Sequence, residues 1–160
     1  MPIRVMILNG PNLNMLGVRE PHIYGSVTLS AVEESCRELA ALIDASLDFR
    51  QSNNEGEMVD WIQDARGSVD VIIINPAGFS FYSVAILDAL KMFDGPIIEL
   101  HISNIHARDA VHRHSIMSAG VKAVICGLGT YGYVIALQSA ARLLDALPER
   151  LPAPIRVGPT

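Results

Sequence analysis

Residues 69–78 read VDVIIINPAG. Val69, Val71, Ile72, Ile73 and Ile74 form an almost unbroken β-branched run, and Asn75-Pro76-Ala77-Gly78 stops it abruptly. β-branched side chains favour the extended backbone. A strand apolar at nearly every position must be covered on both faces, which is the situation of a central strand in a parallel sheet. Helical patterns flank it. Glu55 to Arg66, closed by Gly67, precedes the strand, and Ser83 to Met92 follows it. Similar strands recur at Ile3–Leu8, Leu47–Gln51, Pro96–Leu100 and Val121–Cys126. Between and after them, helices are predicted over Ser30–Ala45, where Ser30 and Glu33 have capping-box spacing, over Arg108–Ser115, and over Thr130–Leu147. Five strands alternating with helices imply right-handed crossovers and an α/β fold with a parallel sheet. The expected architecture is a flavodoxin-like three-layer sandwich with strand order 2-1-3-4-5, in one domain over residues 1–147. Residues 148–160 are a proline-rich tail, read as loose.

The 160 residues suit one domain with a substantial core. Half are hydrophobic and 18% are charged, which excludes a disordered chain. No apolar run reaches the ~18 residues of a membrane span, and the start MPIRVMILNG has no signal-peptide pattern, so a cytoplasmic protein is expected. A net charge of −5 without a basic run argues against nucleic acid and anionic membrane as partners. Cys36 and Cys126 make neither a disulfide framework nor a zinc cluster, and two buried thiols are expected. The high apolar content of so short a chain points to surface buried between subunits.

In an open parallel sheet, ligands bind beyond the carboxyl ends of the strands, near the switch between strands 1 and 3. The loops there carry Asn9-Gly10-Pro11-Asn12-Leu13-Asn14, Arg19, Tyr24, Asn75 and Gly78, and strand 4 ends Glu99-Leu100-His101-Ile102-Ser103 ahead of Arg108 and Arg113. This is a concentration of acid–base groups without a phosphate-binding glycine loop and lysine or an aspartate cluster for magnesium. Gly127-Leu128-Gly129-Thr130-Tyr131-Gly132 spells GxGxxG, but it lies in the last strand–helix unit, with no later strand to present an acid to a ribose, so close helix packing is the better reading. His101, His106, His112 and His114 match no common zinc spacing, and no metal site is expected. A flavodoxin-like binding module remains the non-enzyme alternative.

The segments NGPNLNMLGVREPHIYG (9–25), QSNNEGE (51–57), NPAG (75–78), ELHISNIHAR (99–108) and GLGTYGY (127–133) closely resemble the type II 3-dehydroquinate dehydratases, over almost all of residues 3–146. The resemblance implies a lyase that removes water from 3-dehydroquinate to give 3-dehydroshikimate through an enolate. It also implies no cofactor, no covalent intermediate and a homo-oligomer, a dodecamer built from trimers. By resemblance Tyr24 is the base. A free phenol ionises near pH ~10, and a phenolate base near neutrality needs about 3–4 kcal/mol of help. Arg19 or Arg108 supplies it. His101 is the general acid, and Glu99, two residues earlier on the same strand face, orients it. Asn12 positions a water on the enolate oxygen, Asn75 and Gly78 adjoin the substrate, and the backbone amides of Ile102 and Ser103 bind its carboxylate.

Two positions depart from the family pattern. Phe81 stands where the family has a substrate-contacting histidine, and His112 replaces a substrate-binding arginine unless Arg113 serves through a local shift. Both implied contacts are to the distal ring hydroxyls. Asp88, which by resemblance reaches that edge from a neighbouring subunit, is retained. These departures leave a second reading, a paralogous lyase acting on a different cyclic β-hydroxy ketone carboxylate.

Overall fold

The computed structural model describes residues 2–18 and 20–156. Five parallel strands, β1 (Ile3–Asn9), β2 (Ala45–Gln51), β3 (Val71–Asn75), β4 (Ile97–His101) and β5 (Ala123–Cys126), form one sheet in the order β2-β1-β3-β4-β5. The α/β class and strand order expected from the sequence are those observed. The helices are α1 (Pro21–Tyr24), α2 (Leu29–Leu42), α3 (Glu55–Ala65), α4 (Val84–Lys91), α5 (Tyr131–Leu143) and α6 (Ala153–Arg156).

Two cores follow from the period-2 alternation of strand side chains. Val5, Ile7, Val71, Ile73, Ile98 and Leu100 pack on one face with Val32 and Cys36 of α2 and Ala136, Leu137 and Ala140 of α5. Met6, Leu8, Ile72, Ile74 and Ile97 pack on the other with Met58 and Ile62 of α3 and Ile86 and Leu90 of α4. The unbroken apolar run of β3 is thus divided between the two cores. Each fully buried aliphatic side chain contributes about 1.5–3 kcal/mol.

Several element boundaries differ from expectation. The cap of α2 is Thr28, whose side chain accepts from the Ala31 amide at 3.2 Å. Ser30 lies inside the first turn, and the Glu33 carboxylate is taken by Arg37 four residues on, at 2.9 Å, so no capping box forms. α2 stops at Leu42 because Asp44 adopts a left-handed φ of 58° and turns Ala45 into β2, opposite Ile3. The expected helix over Arg108–Ser115 is absent. Its first bond would join the His112 amide to the Arg108 carbonyl. Instead Arg113 donates Nε and Nη2 to that carbonyl at 3.1 and 2.9 Å, and the His112 amide turns to the Asp109 carboxylate at 3.1 Å. Single 3₁₀ turns flank this loop at Ile105–Ala107 and Ile116–Gly120. α5 ends at Leu143, where Asp145 has φ 53° and the Ala146 amide bonds back to the Ala141 carbonyl, a Schellman-type closure. The tail is anchored as far as it is described. Leu147 and Leu151 pack on the first core, and the Arg150 guanidinium bonds the Leu42 carbonyl and Asp44.

Cys36 is buried, as expected, and burial pushes its thiol up to about 12, whereas Cys126 is only partly covered. Among the described residues no helix is long and apolar enough to cross a membrane.

Candidate active site

Strand register brings the carboxyl ends together. Asn9 pairs with Gln51 and with Asn75, and Ile74 with Glu99, so the residues after β1, β3 and β4 converge at one level. The first loop can approach because residue 10 is glycine. A Cβ there would stand 2.3 Å from the Pro76 carbonyl oxygen, and the Gly10 amide bonds the Asn75 carbonyl at 2.8 Å. Asn12 takes a left-handed φ of 69°, a conformation asparagine tolerates, and its amide is held by the Asn53 side chain at 2.9 Å. Gln51 braces the same loop through the Gly10 carbonyl and Asn53.

These loops enclose a cavity of about 180 Å³, small for a nucleotide but suited to a compact ring acid. Of the residues singled out from the sequence, Asn12, Tyr24, Asn75, Gly78, Phe81, His101, Ile102, Ser103, Arg108 and His112 line it. Pro11, Leu13, Ala77 and Ile105 complete the lining. They sit inside the quoted motifs, but as small or apolar residues they carry no chemical signal.

On one side, Arg108 Nη1 donates to Tyr24 Oη at 3.1 Å, and its guanidinium lies 5.7 Å from the ring centroid. Arg108 is therefore a cationic partner of the phenol, joined across 84 residues of sequence. On the other side, His101 Nε2 hydrogen-bonds the Glu99 carboxylate. Glu99 is fully buried behind it and also accepts from Ser118 Oγ at 2.8 Å. Burial alone would raise the Glu99 carboxyl. The bonds from His101, Ser115 and Ser118, with the attraction of a charged imidazole, outweigh it and hold the group below the usual carboxylate range. A carboxylate only accepts, so Nε2 carries a proton and Nδ1 is the ring nitrogen left for chemistry.

The sequence that builds this arrangement matches, over residues 3–141, the family described as Dehydroquinase class II. The chain belongs to the class II dehydroquinase family. It is 53% identical over 144 residues to the 3-dehydroquinate dehydratase of Bartonella tribocorum, covering 90% of this chain and 97% of that one. It is 55% identical over 140 residues to catabolic 3-dehydroquinase 1 of Fusarium vanettenii, covering 88% and 97%. The type II dehydroquinase from Propionibacterium acnes has a solved structure that superposes with a TM-score of 0.85 at 42% identity, covering 88% of this chain and 97% of that one.

Not every residue expected at the dehydroquinase site lines the cavity. Arg19 lies outside the described residues. Asp88 is exposed on α4 and does not line the cavity of its own chain. Arg113 gives Nε and Nη2 to the Arg108 carbonyl, bracing that backbone, and does not line the cavity of its own chain. One wall of the cavity is formed by Phe81 and His112, whose rings meet edge-on at 5.4 Å. His112 Nδ1 lies 2.9 and 3.0 Å from the two Asp109 oxygens, leaving Nε2 as the other ring nitrogen. That hydrogen bond holds the Asp109 carboxyl below its ordinary value.

The glycine-rich segment after β5 is explained by packing. A Cβ on Gly132 would meet Leu100 Cδ1 at 2.9 Å, and Gly127 and Gly129 make left-handed turns. Among the described residues no group of three or more His, Cys, Asp or Glu is placed to share a metal ion.

Proposed function

We propose that this chain is a hydro-lyase that removes water from 3-dehydroquinate to give 3-dehydroshikimate, in the shikimate or quinate pathway. The observation that carries the reading is the juxtaposition, across one small cavity, of the Arg108–Tyr24 pair and the Glu99–His101 pair. The substrate is a β-hydroxy ketone. Tyr24, as phenolate favoured by Arg108, takes a proton next to the ketone. The electron pair released forms the enolate, whose oxygen is stabilised by Asn12 through a water. Collapse of the enolate expels the hydroxyl, which takes a proton from His101 and departs as water, leaving an enone. Glu99 stabilises the imidazolium before transfer and fixes its tautomer. The two protons then re-equilibrate with solvent. The substrate carboxylate sits on the amides of Ile102 and Ser103, and Asn75 and Gly78 flank the ring. Arg19, five residues before Tyr24 in sequence, is the second candidate for favouring the phenolate. No cofactor or metal enters these steps. Relatives 53–55% identical that bear the dehydratase and dehydroquinase names support 3-dehydroquinate over a different ring acid.

Incubation with 3-dehydroquinate, followed by the rise of enone absorbance, tests the reading. Turnover is expected to survive a chelator and borohydride; absence of the enone product sinks it. The same assay examines the distal wall. Phe81 offers no hydrogen bond there, so wild-type KM is expected to be high with turnover less affected, because the distal hydroxyls do not react. Phe81→His with His112→Arg is expected to lower KM by about 1 kcal/mol or more per contact regained. An unchanged KM would mean that the wall is silent.

The working unit is a homo-oligomer, a dodecamer of trimers, in the cytoplasm. Asp88, exposed on α4 one turn after the exposed Val84, reaches the distal edge of a neighbouring copy's site. Light scattering that finds a fully active monomer removes this role for Asp88.

A further inference from the structure

We infer that Tyr133, which does not line the cavity, is a positioning residue that fixes Asn75 as a hydrogen-bond donor toward the substrate. The inference rests on the dehydratase reading for its kinetic consequence and on geometry for its cause. Tyr133 stands in the first turn of α5, fully buried, between the carboxyl ends of β1 and β3. Its phenol donates to Asn9 Oδ1 at 2.7 Å and accepts from Asn75 Nδ2 at 2.9 Å. Asn9 and Asn75 are themselves 0% and 3% exposed.

The direction of every proton in this chain is determined from its far end. Asn9 Nδ2 lies 3.0 Å from the Arg50 carbonyl, which can only accept, so the Asn9 amide must turn its oxygen to Tyr133. That oxygen also only accepts, so it claims the single phenolic proton. The phenol is left as an acceptor, and the group that meets it must be the amide nitrogen of Asn75. The other end of Asn75 agrees. Its Oδ1 accepts from the Ala77 amide at 3.2 Å, which Ala77 presents from a left-handed φ of 50°. Both heads of the Asn75 amide are therefore assigned, and the second hydrogen on Nδ2 is what the residue has left for the cavity it lines. Burial pushes the Tyr133 phenol up, which keeps its proton in place at working pH. Without Tyr133 only the 3.2 Å bond from the Ala77 amide would hold Asn75, and Nδ2 would lose the acceptor that aims its second hydrogen at the substrate.

The experiment compares Tyr133→Phe, Asn75→Ala and the double variant for kcat and KM with 3-dehydroquinate. Leu137→Ala, buried one turn along α5, is the control for a purely structural loss. Tyr133→Phe is expected to lose roughly tenfold in kcat/KM, and to lose nothing further when Asn75 is already alanine. Leu137→Ala is expected to lower Tm with kcat/KM unchanged. Normal kcat/KM in Tyr133→Phe, or an equal loss in both backgrounds, overturns the inference. A readout without substrate separates this from failure of the dehydratase reading. By NMR, the Asn75 side-chain amide protons are expected to exchange slowly in the wild type and fast in Tyr133→Phe; equal rates overturn the inference even if the chain acts on another compound. Should Tyr133→Phe not fold, Asn9→Ala keeps the phenol but frees its proton, and is expected to show the same kinetic loss; full activity there overturns the inference.

Discussion

Tyr24→Phe is expected to bind 3-dehydroquinate nearly as well as the wild type and to turn it over at least ~10²-fold more slowly. The ring that helps wall the cavity is kept, and only the oxygen that Arg108 Nη1 contacts at 3.1 Å is removed. A loss in kcat with little change in KM marks a group that works in the transition state. Arg108→Ala gives the complementary signature. Removing the cation bonded to the Tyr24 oxygen takes away its charge stabilisation, so kcat is expected to fall with KM less affected. Steady-state rates across pH check both variants. A Tyr24→Phe enzyme that keeps more than about a tenth of the rate would place the base elsewhere, since general bases contribute ~10²-fold or more.

Glu99→Gln is expected to cost ~10²-fold or more in kcat with the fold intact. The amide keeps the volume of a fully buried residue but removes the charge that favours the His101 imidazolium. The proton donor then lacks the carboxylate that holds and orients it, so the loss is expected in kcat rather than in KM. Stability changes in a defined direction. The Glu99 carboxyl is held below its ordinary value in the folded chain, so it stabilises the fold above the unfolded value of ~4.3, and that contribution fades as pH falls through the lower folded value. The stability gap between wild type and Glu99→Gln is therefore expected to close in acid. Urea titrations at neutral and acid pH check it, and a gap independent of pH would show that Glu99 acts through shape alone.

The two pairs behind these predictions differ in how visible they are in sequence. Glu99 and His101 are two residues apart on a strand, so their shared face follows from strand geometry. Tyr24, at the end of α1, and Arg108, after the turn that follows β4, are far apart in sequence, and only the fold decides that they meet. The motif resemblance named both arginines, Arg19 and Arg108, without choosing between them. The bond from Arg108 comes from a segment with a helical sequence pattern that does not form a helix, because side chains outcompete the backbone there. Arg113 took the Arg108 carbonyl and Asp109 took the His112 amide, and no helix formed. The same competition makes Arg113 a brace for the backbone of Arg108.

The class of fold and the polar loops that mark the candidate site were legible in sequence alone, because they rest on local periodicity and on where polar residues interrupt apolar runs; the strand order was expected as the common one for this class and is the one observed. An uninterrupted β3 has to be buried on both faces, and the loops at its carboxyl end then have to form the ligand edge. Tertiary structure alone decided the contacts between segments distant in the chain. Asn9 and Asn75 become neighbours through strand register, and Tyr133 reaches both from α5. Their spacing carries no periodic signal, and their hydrogen-bond directions are set by burial, which leaves each polar atom no partner but the next one in the chain.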